Sequence, residues 1–566
     1  MRKPGDLLYG LDDRPPAGVV LSIAVQQATI VLVWLLPAFV LAREMAATPS
    51  QAAALFSMTF AACGIGTILQ ATRRWGLGSG FLAPVTPSSA HLVPSILAAQ
   101  AGGLPLVAGM TLFAGLLTVL LARALHRIRT LMPPEVAGAV VFIIAIGVSL
   151  TGARLLLAGG IGAPPAPAAL LVALTTLAVA IGLGIWGQGP LRLGGVLIAM
   201  GCGSLLAASL GLLQPPDLAE LGSLPLLGLP DLSGRSLAFD LALVPAFVIA
   251  SVASALKTVG MITALQKLND ADWVRPEPRS IAGGVTGDGL ATAVAGLLGA
   301  PGVNVSPSNV AIQMASGVTS RSVAFATGAL CLLMACFPRA AALLHHIPAP
   351  VIAAMLIYAG GLMLANGMQL AATRLLDARR SLSVGLGVAA ALTAEAVPQL
   401  AFWVPAGLRP LVASTALGTL VALLLNAAFR MGVRRRVTLT IPAEGLPGAE
   451  VDAFITGAGA SWGARREVVS RAAHLAASCL DAIAVSGCAR GALTLELGFD
   501  ETRIDMRIAW PGAPIILADR PPSADELLDE PEAPARLAGY MVRRLSDRLR
   551  LRHRDGTSEL TLALDH

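Results

Sequence analysis

Residues Gly287–Gly317 read GDGLATAVAGLLGAPGVNVSPSNVAIQMASG. The stretch is apolar enough to sit at membrane depth, yet Gly, Pro, Ser and Asn interrupt it from Ala300 to Asn309. Backbone without helical hydrogen bonds is tolerated inside a bilayer only where protein buries it or it lines a cavity. Short hydrophobic segments broken by Gly and Pro are also the best sequence pointer to the binding site of a carrier. A second such break lies in the first half, GLGSGFLAPVTPSSAHLVPSI from Gly76 to Ile96. One break in each half of a long apolar region points to inverted repeats.

Composition agrees. The 566 residues are 55% hydrophobic and only 13% charged, against about 25% charged in soluble domains. Mean hydropathy is +0.73. The chain therefore reads as a polytopic membrane protein, with spans near 18–42, 51–71, 82–101, 105–125, 135–152, 167–186, 193–213, 238–263, 284–299, 304–317, 321–338, 348–367, 381–398 and 408–429, about fourteen in all. The first span is read as retained rather than as a signal peptide, after a cytoplasmic segment 1–17.

Positive charge sets the expected orientation. Arg73/Arg74, Arg123/Arg127/Arg129, Lys267/Arg275/Arg279, Arg374/Arg379/Arg380 and Arg430/Arg434/Arg435/Arg436 fall on alternate loops and at the end of the last span. Those loops and both termini are expected in the cytoplasm of a cell whose inner membrane holds the chain. Arg43, Arg154 and Arg339 stand nearly alone on the other side. After Arg436 the composition changes. Short alternating runs (VTLTIP, GALTLELGF, TRIDMRIAW, SELTLALDH) and two amphipathic stretches, Arg465–Ala484 and Ala535–Arg550, predict a soluble α+β domain over 437–566.

Within the spans a few residues can carry chemistry. Lys257, in VPAFVIASVASALKTVGMITAL, costs about 2.5–3.5 kcal/mol at a helix centre. Something must offset that: a cavity, a carboxylate or an anionic ligand. Snorkelling to the interface is the structural alternative. Asp288 is read at the opening of the next span, as a macrodipole carboxylate or as the partner of Lys257 or of a coupling ion. Ser306, Ser308 and Asn309 precede a half-helix, where Ser and Asn are ordinary N-caps. A half-helix N-terminus at midplane is equally a donor array for anionic or carbonyl groups. Gln313 shares the face of Asn309 one turn on. In the first half Ser88, Ser89, Ala90 and His91 take the equivalent place, and of the adjacent amides Gln26 and Gln27 one is expected to face a cavity. Thr258, beside Lys257, is grouped with Asp288, Gln26 and Gln313 as a coupling or gating candidate.

The six cysteines (Cys63, Cys202, Cys331, Cys336, Cys479, Cys488) show no CxxC or Cys/His ligand spacing. There is no P-loop and no HExxH. No enzyme, metal, cofactor or nucleic-acid partner is expected, and the net charge of +6 is assigned to loop arginines.

At these residues the chain resembles the nucleobase–ascorbate transporters (nucleobase:cation symporter-2 family), which include bacterial uracil and xanthine permeases. The resemblance runs over nearly all of 18–430 and rests on ordered motifs: GIGTILQ (Gly64–Gln70), PPEVAGAVVFIIAIGVSL (Pro133–Leu150), GDGLATAVAGLLG followed by SNVAIQMASGVTSR, IPAPVIAAMLIYAGGLMLANGMQL and LLLNAAF. It implies fourteen spans as seven-plus-seven inverted repeats, a core and a gate domain, short strands within spans 3 and 10, and elevator or rocking movement of a dimer. Gln26 matches the Gln of the family's Gln-His pair and Gln27 stands in place of its His. Asn309 matches the Asn of the signature motif. The substrate-binding Glu of span 8 falls on Lys257, the Gln or Glu before the signature Asn on Ser308, and the following Gly and Thr on Ala311 and Ser316. A cation with donors only thus replaces an acceptor, which implies an anionic or acceptor-rich solute such as urate or another oxidised purine, moved with a proton or sodium ion.

The tail resembles more faintly the ATPase-like fold of anti-sigma-factor serine kinases, through AAHLAASCLDAIAVSG, FDETRIDMRIAWPGAPI and LAGYMVRRLSDRLRL as its last helix. Its catalytic Glu falls on Ala477, its Asn on Asp481 and its turn Asp on Trp510, implying a degenerate regulatory module that binds a cytoplasmic protein. An anion permease of the sulfate-transporter type and a solute sensor signalling through the tail are the alternatives.

Overall fold

The computed structural model describes residues 2–565 apart from 6, 74–75, 125–133, 158–165, 189–190, 192–193, 214–221, 223, 229–235, 274–275, 372–377, 406–408, 410–411, 431–434, 443–447, 463, 465, 500–502, 523–525, 527–529, 531 and 555, and apart from the side chains of 134, 137, 307–309, 311, 315, 366, 398, 401, 430, 435 and 565. Arg74, Arg127, Arg129, Arg275, Arg374 and Arg434 of the basic loops, and the side chains of Ser308, Asn309, Ala311 and Arg435, lie outside the described ones. The chain divides into two compact units, 1–371 with 383–424 and 372–382 with 425–566.

The first unit is helical: α1 (Ala17–Val33), α2 (Leu36–Glu44), α3 (Pro49–Ala71), α4 (Ser89–Arg123), α5 (Pro134–Leu156), α6 (Pro167–Trp186), α7 (Gly195–Ser209), α8 (Val244–Asn269), α9 (Pro278–Leu297), α10 (Pro307–Ser316), α11 (Arg321–Ala335), α12 (Pro338–His345), α13 (Ala349–Ala371), α14 (Ala378–Ala396) and α15 (Ser414–Arg430). The last two helices contribute their residues 383–396 and 414–424 to it. Among the described residues seven helical segments of this unit, α1 and α2 counted as one, are long and apolar enough to cross a membrane, or eight if α11 and α12, bent by 78°, form one span. The two spans expected at 82–101 and 105–125 are one helix, α4, kinked at Gly102 and Gly103, where φ/ψ leave the helical region. Pro105 beyond the kink removes a helical donor there. α9 is absent from the apolar set. Its Gly and Ser positions and Thr292 are buried against protein, so most of it presents no lipid-facing surface.

Two helix groups are evident. α9 packs on α3, α4 and α8, and α11 on α1 and α3; separately, α13 packs on α5, α6 and α7. Glycine sets the approach in each group. A Cβ on Gly115 of α4 would lie 2.2 Å from the backbone nitrogen of Ala293 on α9, and one on Gly296 2.3 Å from that of Leu112. Across α5 and α13, a Cβ on Gly138 would lie 2.4 Å from the nitrogen of Ala371. This is how helices associate where no hydrophobic drive exists: small residues let backbones touch. Gly115→Val is expected to wedge α4 from α9 at a cost of about 3 kcal/mol. Gly201→Ala, whose Cβ meets nothing within 4 Å, should leave thermal inactivation in detergent unchanged. Equal inactivation temperatures for the two variants would refute close helix packing at Gly115.

The two broken segments meet. β1 (Val85–Pro87) pairs antiparallel with β2 (Val303–Val305), with Thr86 opposite Asn304. The Ser88 N–H donates to the Gly302 carbonyl at 2.8 Å and the Ser306 N–H to the Pro84 carbonyl at 3.1 Å, extending the pair at both ends. All six strand residues are buried, so each break satisfies its backbone with the other, as membrane depth requires. α4 and α10 then start directly beyond the strands. Ser88 and Ser306 are their N-caps, but neither side chain makes a capping bond.

The N-terminal segment is strapped to the loop after α10. The Tyr9 N–H donates to the Gly317 carbonyl at 3.1 Å, the Thr319 N–H to the Tyr9 carbonyl at 2.9 Å, and Arg321 forms an ion pair with Asp12 at 2.7 Å. The expected lone arginines have partners: Arg43 donates to the Ile347 carbonyl at 2.9 Å, Arg154 pairs with Glu395, and Arg339 donates to the Leu224 carbonyl at 2.6 Å.

The second unit holds a five-stranded antiparallel sheet in the order β3 (Arg435–Ile441), β4 (Leu493–Phe499), β5 (Arg503–Pro511), β7 (Thr557–Asp565), β6 (Arg548–Arg554), with α16 (Gly448–Ser461), α17 (Arg466–Ser486) and α18 (Ala533–Leu545). Alternation puts Leu495, Leu497, Ile504, Met506, Ile508, Leu560 and Leu562 in a core with Leu475, Cys479 and Ile483 of α17. α17 meets the length and apolarity of a membrane span, but its apolar face is spent on this core and its other face carries Arg466, Glu467, His474 and Asp481. Two sequence expectations are corrected here. The helix expected at Ala535–Arg550 ends at Leu545, because RLRLRHR (Arg548–Arg554) alternates with period two and pairs with β7 as a strand. α16 was not expected at all. Trp510 is a fully buried β5 residue donating Nε1–H to the Ala513 carbonyl at 2.9 Å, while Ala477 and Asp481 face outward on α17.

Candidate functional site

α8, α9 and the strand pair converge on two buried polar groups. Asp288 is 1% exposed. Gln70, the last-turn residue of α3, donates Nε2–H to its Oδ1 at 2.7 Å and to the Gly284 carbonyl at 2.8 Å. The Thr258 hydroxyl of α8 and the Val305 N–H of β2 (3.2 Å) both donate to Oδ2. Asp288 does not open a helix as expected: α9 begins at Pro278, so Asp288 lies mid-helix, beyond the reach of the N-terminal dipole. Three donors from three elements hold it instead, so both oxygens of the buried carboxylate are hydrogen-bonded.

The second group is Lys257. It sits inside α8, partly buried, and its Nζ donates to Asn304 Oδ1 at 3.0 Å. Asn304 Nδ2 in turn donates to Ser254 Oγ at 3.1 Å. Ser254, Lys257 and Thr258 are three and four residues apart on α8 and so share the side facing β2 and α9. Lys257 does not snorkel. It turns toward the broken strand and lies within range of the Asp288 charge and of the His91 ring. Among the described residues only Asn304 takes an N–H from it, and an ammonium carries three, so two are available for a ligand.

His91 occupies the first turn of α4, 1% exposed, with neither ring nitrogen hydrogen-bonded among the described residues. Its ring lies on Gly302, where a Cβ would come 2.7 Å from His91 Cγ. Gly302→Ala should therefore displace His91 and lower uptake at least tenfold while the protein still purifies folded. Uptake by Gly302→Ala at the wild-type rate would show that the ring's position is immaterial. Ser89 is buried and Ala90 partly exposed beside it.

The other expected residues divide. Gln27 is fully buried on α1 and Gln26 partly exposed, so Gln27 is the inward amide. Gln313 on α10 donates to the Leu82 carbonyl at 2.7 Å, which ties the half-helix to the other broken segment. Sequence reasoning missed Gln70, Ser254, Asn304 and Thr292, whose hydroxyl donates to the Val303 carbonyl at 2.7 Å. Asn304 carried a signal nonetheless: it is the only polar residue in the VNV strand of the quoted break.

Residues 19–400 match the profile of a permease family, Xan_ur_permease. This chain belongs to that family. The matched range contains both strands, Lys257, Asp288 and His91, and stops short of the second unit's sheet. The permease is 28% identical over 443 residues to the xanthine permease XanP of Escherichia coli strain K12, covering 75% of this chain and 95% of that protein. It is 25% identical over 410 residues to the uric acid permease PucJ of Bacillus subtilis strain 168, covering 70% of this chain and 89% of that one. Among solved structures, the transmembrane domain of the cyanobacterial bicarbonate transporter BicA aligns with a TM-score of 0.45 at 16% identity, over 73% of this chain and 99% of that one. The permease is thus a multi-pass membrane protein.

Proposed function

We propose that this permease is a secondary active symporter of a nucleobase-like solute, with an oxidised purine such as urate or xanthine as its substrate. The observation that carries this reading is the Lys257–Asn304 bond at the crossed broken segments. Purine-dione and purine-trione rings present carbonyl oxygens, and urate adds a negative charge. A partly exposed ammonium with two available N–H groups matches those acceptors, and the Asn304 amide places it. The relatives named for xanthine and uric acid transport support the same solute class.

In this reading 18–430 is the transporter domain, with fourteen spans as seven-plus-seven inverted repeats. The group of α3, α4, α8, α9 and α11 forms a core carrying the solute, and the group of α5, α6, α7 and α13 forms a gate. The core moves by an elevator or alternating-access motion, in a homodimer, in the inner membrane with both termini cytoplasmic. Ser89, Ala90, His91, Gln27, Ser308 and Asn309 border the solute. Asp288, Thr258, Gln26 and Gln313 serve coupling by a proton or sodium ion, or gating. The 437–566 domain is a degenerate ATPase-like regulatory module that binds a cytoplasmic protein.

The test is uptake of radiolabelled xanthine, urate and uracil into proteoliposomes, with and without proton and sodium gradients. Accumulation of urate or xanthine driven by either gradient is expected. If none of the three moves while sulfate, bicarbonate or a dicarboxylate does, the chain is an anion permease and the nucleobase reading fails.

A further inference from the structure

The outer face of the second unit's sheet carries more positive charge than the sheet can neutralise. β6 reads RLRLRHR. Its alternation turns Leu549 and Leu551 to the core side and Arg548, Arg550 and Arg552 to the other. Arg436 of β3 lies in the row of Arg548, across Gly498, Asp505 and Ala563, and Arg507 of β5 in the row of Arg550, across Thr561, while Arg503 lines the same recess. The result is a shallow open recess of about 620 Å³.

Three carboxylates line it, and the inner arginines use them. Glu496 takes Arg436 at 3.1 Å and Arg507 at 3.6 Å, Glu559 takes Arg507 at 2.8 Å, and Asp505 takes Arg503 at 3.0 Å. Among the described residues Arg548 and Arg550 have no carboxylate partner, and Arg552 is only within range of the Glu559 charge. The edge strand therefore presents a row of guanidinium groups about 7 Å apart. Charge on an edge strand also blocks sheet extension, but that role does not require the arginines to share one face around a recess.

We propose that this face docks on the phosphate headgroups of anionic lipid. Guanidinium forks match phosphate oxygens bidentately, and a row on an open sheet suits a surface of many phosphates better than one enclosed ligand. The covalent link points the same way. In sequence, Arg434, Arg435 and Arg436 continue the basic run that follows α15. Basic clusters at the cytoplasmic end of a span bind anionic leaflets. The inference rests on the proposed reading only in placing the bilayer surface at the end of α15.

The test uses the full chain in nanodiscs of phosphatidylcholine, with or without phosphatidylglycerol, and arginine-selective modification by phenylglyoxal read by peptide mass spectrometry. Arg548, Arg550 and Arg552 should react at least threefold more slowly in the anionic discs. The difference should vanish near 1 M salt, where the screening length is about 3 Å. Arg520, 82% exposed and away from the recess, should react alike in both. Equal rates for the β6 arginines overturn the proposal. So does protection by soluble tripolyphosphate in neutral discs with none from phosphatidylglycerol, which assigns the face to a free phosphate compound. Solute uptake is read in parallel: protection without uptake supports this docking and counts against the symporter reading alone.

Discussion

Asp288→Asn is expected to abolish uptake, by at least a hundredfold, and to destabilise the membrane unit by about 3–5 kcal/mol. The carboxylate accepts from Gln70, Thr258 and Val305 with two oxygens. An amide offers one oxygen, and its NH₂ then faces the Gln70 NH₂ or the Val305 N–H, neither of which accepts; the Thr258 hydroxyl alone could. The new NH₂ and the donor it faces are each stranded at about 1–3 kcal/mol. Lys257 would lose the negative charge in its range. Asp288→Glu should not rescue, since the helix packs so closely here that even a Cβ added to Gly287 or Gly289 would come within 3.2 and 2.7 Å of neighbouring atoms, leaving little room for an extra methylene. Thermal inactivation in detergent and proteoliposome uptake measure the two halves. An Asp288→Asn protein that keeps a tenth of wild-type uptake would remove this carboxylate from the mechanism.

Lys257→Glu is expected to change which solutes move rather than merely to weaken transport. The Asn304 amide can present its NH₂ to a glutamate as readily as its oxygen to an ammonium, so the new side chain keeps a partner. What changes is the face shown to the solute: two N–H donors become acceptors, and the sign reverses. Urate uptake should fall at least tenfold, while a base offering ring N–H groups, such as uracil, is retained or gained. Lys257→Gln, neutral with one donor group, should fall between. The glutamate also stands near Asp288, so a drop in stability is expected and must be measured alongside. Unchanged selectivity in Lys257→Ala and Lys257→Glu would refute a role for this charge in recognition.

The second unit permits a pH prediction. The Arg507 guanidinium donating to Glu559 holds that carboxyl below its usual range, and Glu559 raises Arg507 in return. A carboxyl depressed on folding stabilises the fold above its unfolded value, about 4.3, and loses that contribution as pH falls through the folded value. Glu559→Gln should therefore speed hydrogen exchange in β5 and β7 relative to wild type at pH 7, with the gap closing below about pH 4. A gap that persists in acid would assign the effect to packing rather than charge.

Much of the fold was readable because hydropathy and backbone chemistry are local. The breaks read at Ala300–Asn309 and Gly76–Ile96 are marked by their own Gly, Pro, Ser and Asn residues. Short strands there follow from the resemblance, and their mutual pairing as β1 and β2 from the structure alone. The errors have the same origin. RLRLRHR was absorbed into the preceding amphipathic helix because its period-two pattern is seven residues long and abuts a strong helical signal. Asp288 was placed at a helix start because α9 begins in polar residues, Pro278–Ser280, that a hydropathy window discards.

By itself the sequence determined that the chain lives in a bilayer, that two segments break at depth, that Lys257 stands where charge is expensive, and that a β-rich domain follows Arg436. Each of these depends on residue type within a window of about twenty. Only the tertiary structure decided who meets whom. Gln70 reaches Asp288 across 218 residues of sequence, and Lys257 reaches Asn304 across 47. A hydrogen bond needs its atoms within about 3 Å and aligned, and no local pattern specifies which distant helix supplies the partner; the close glycine contacts that bring α4, α8 and α9 together do.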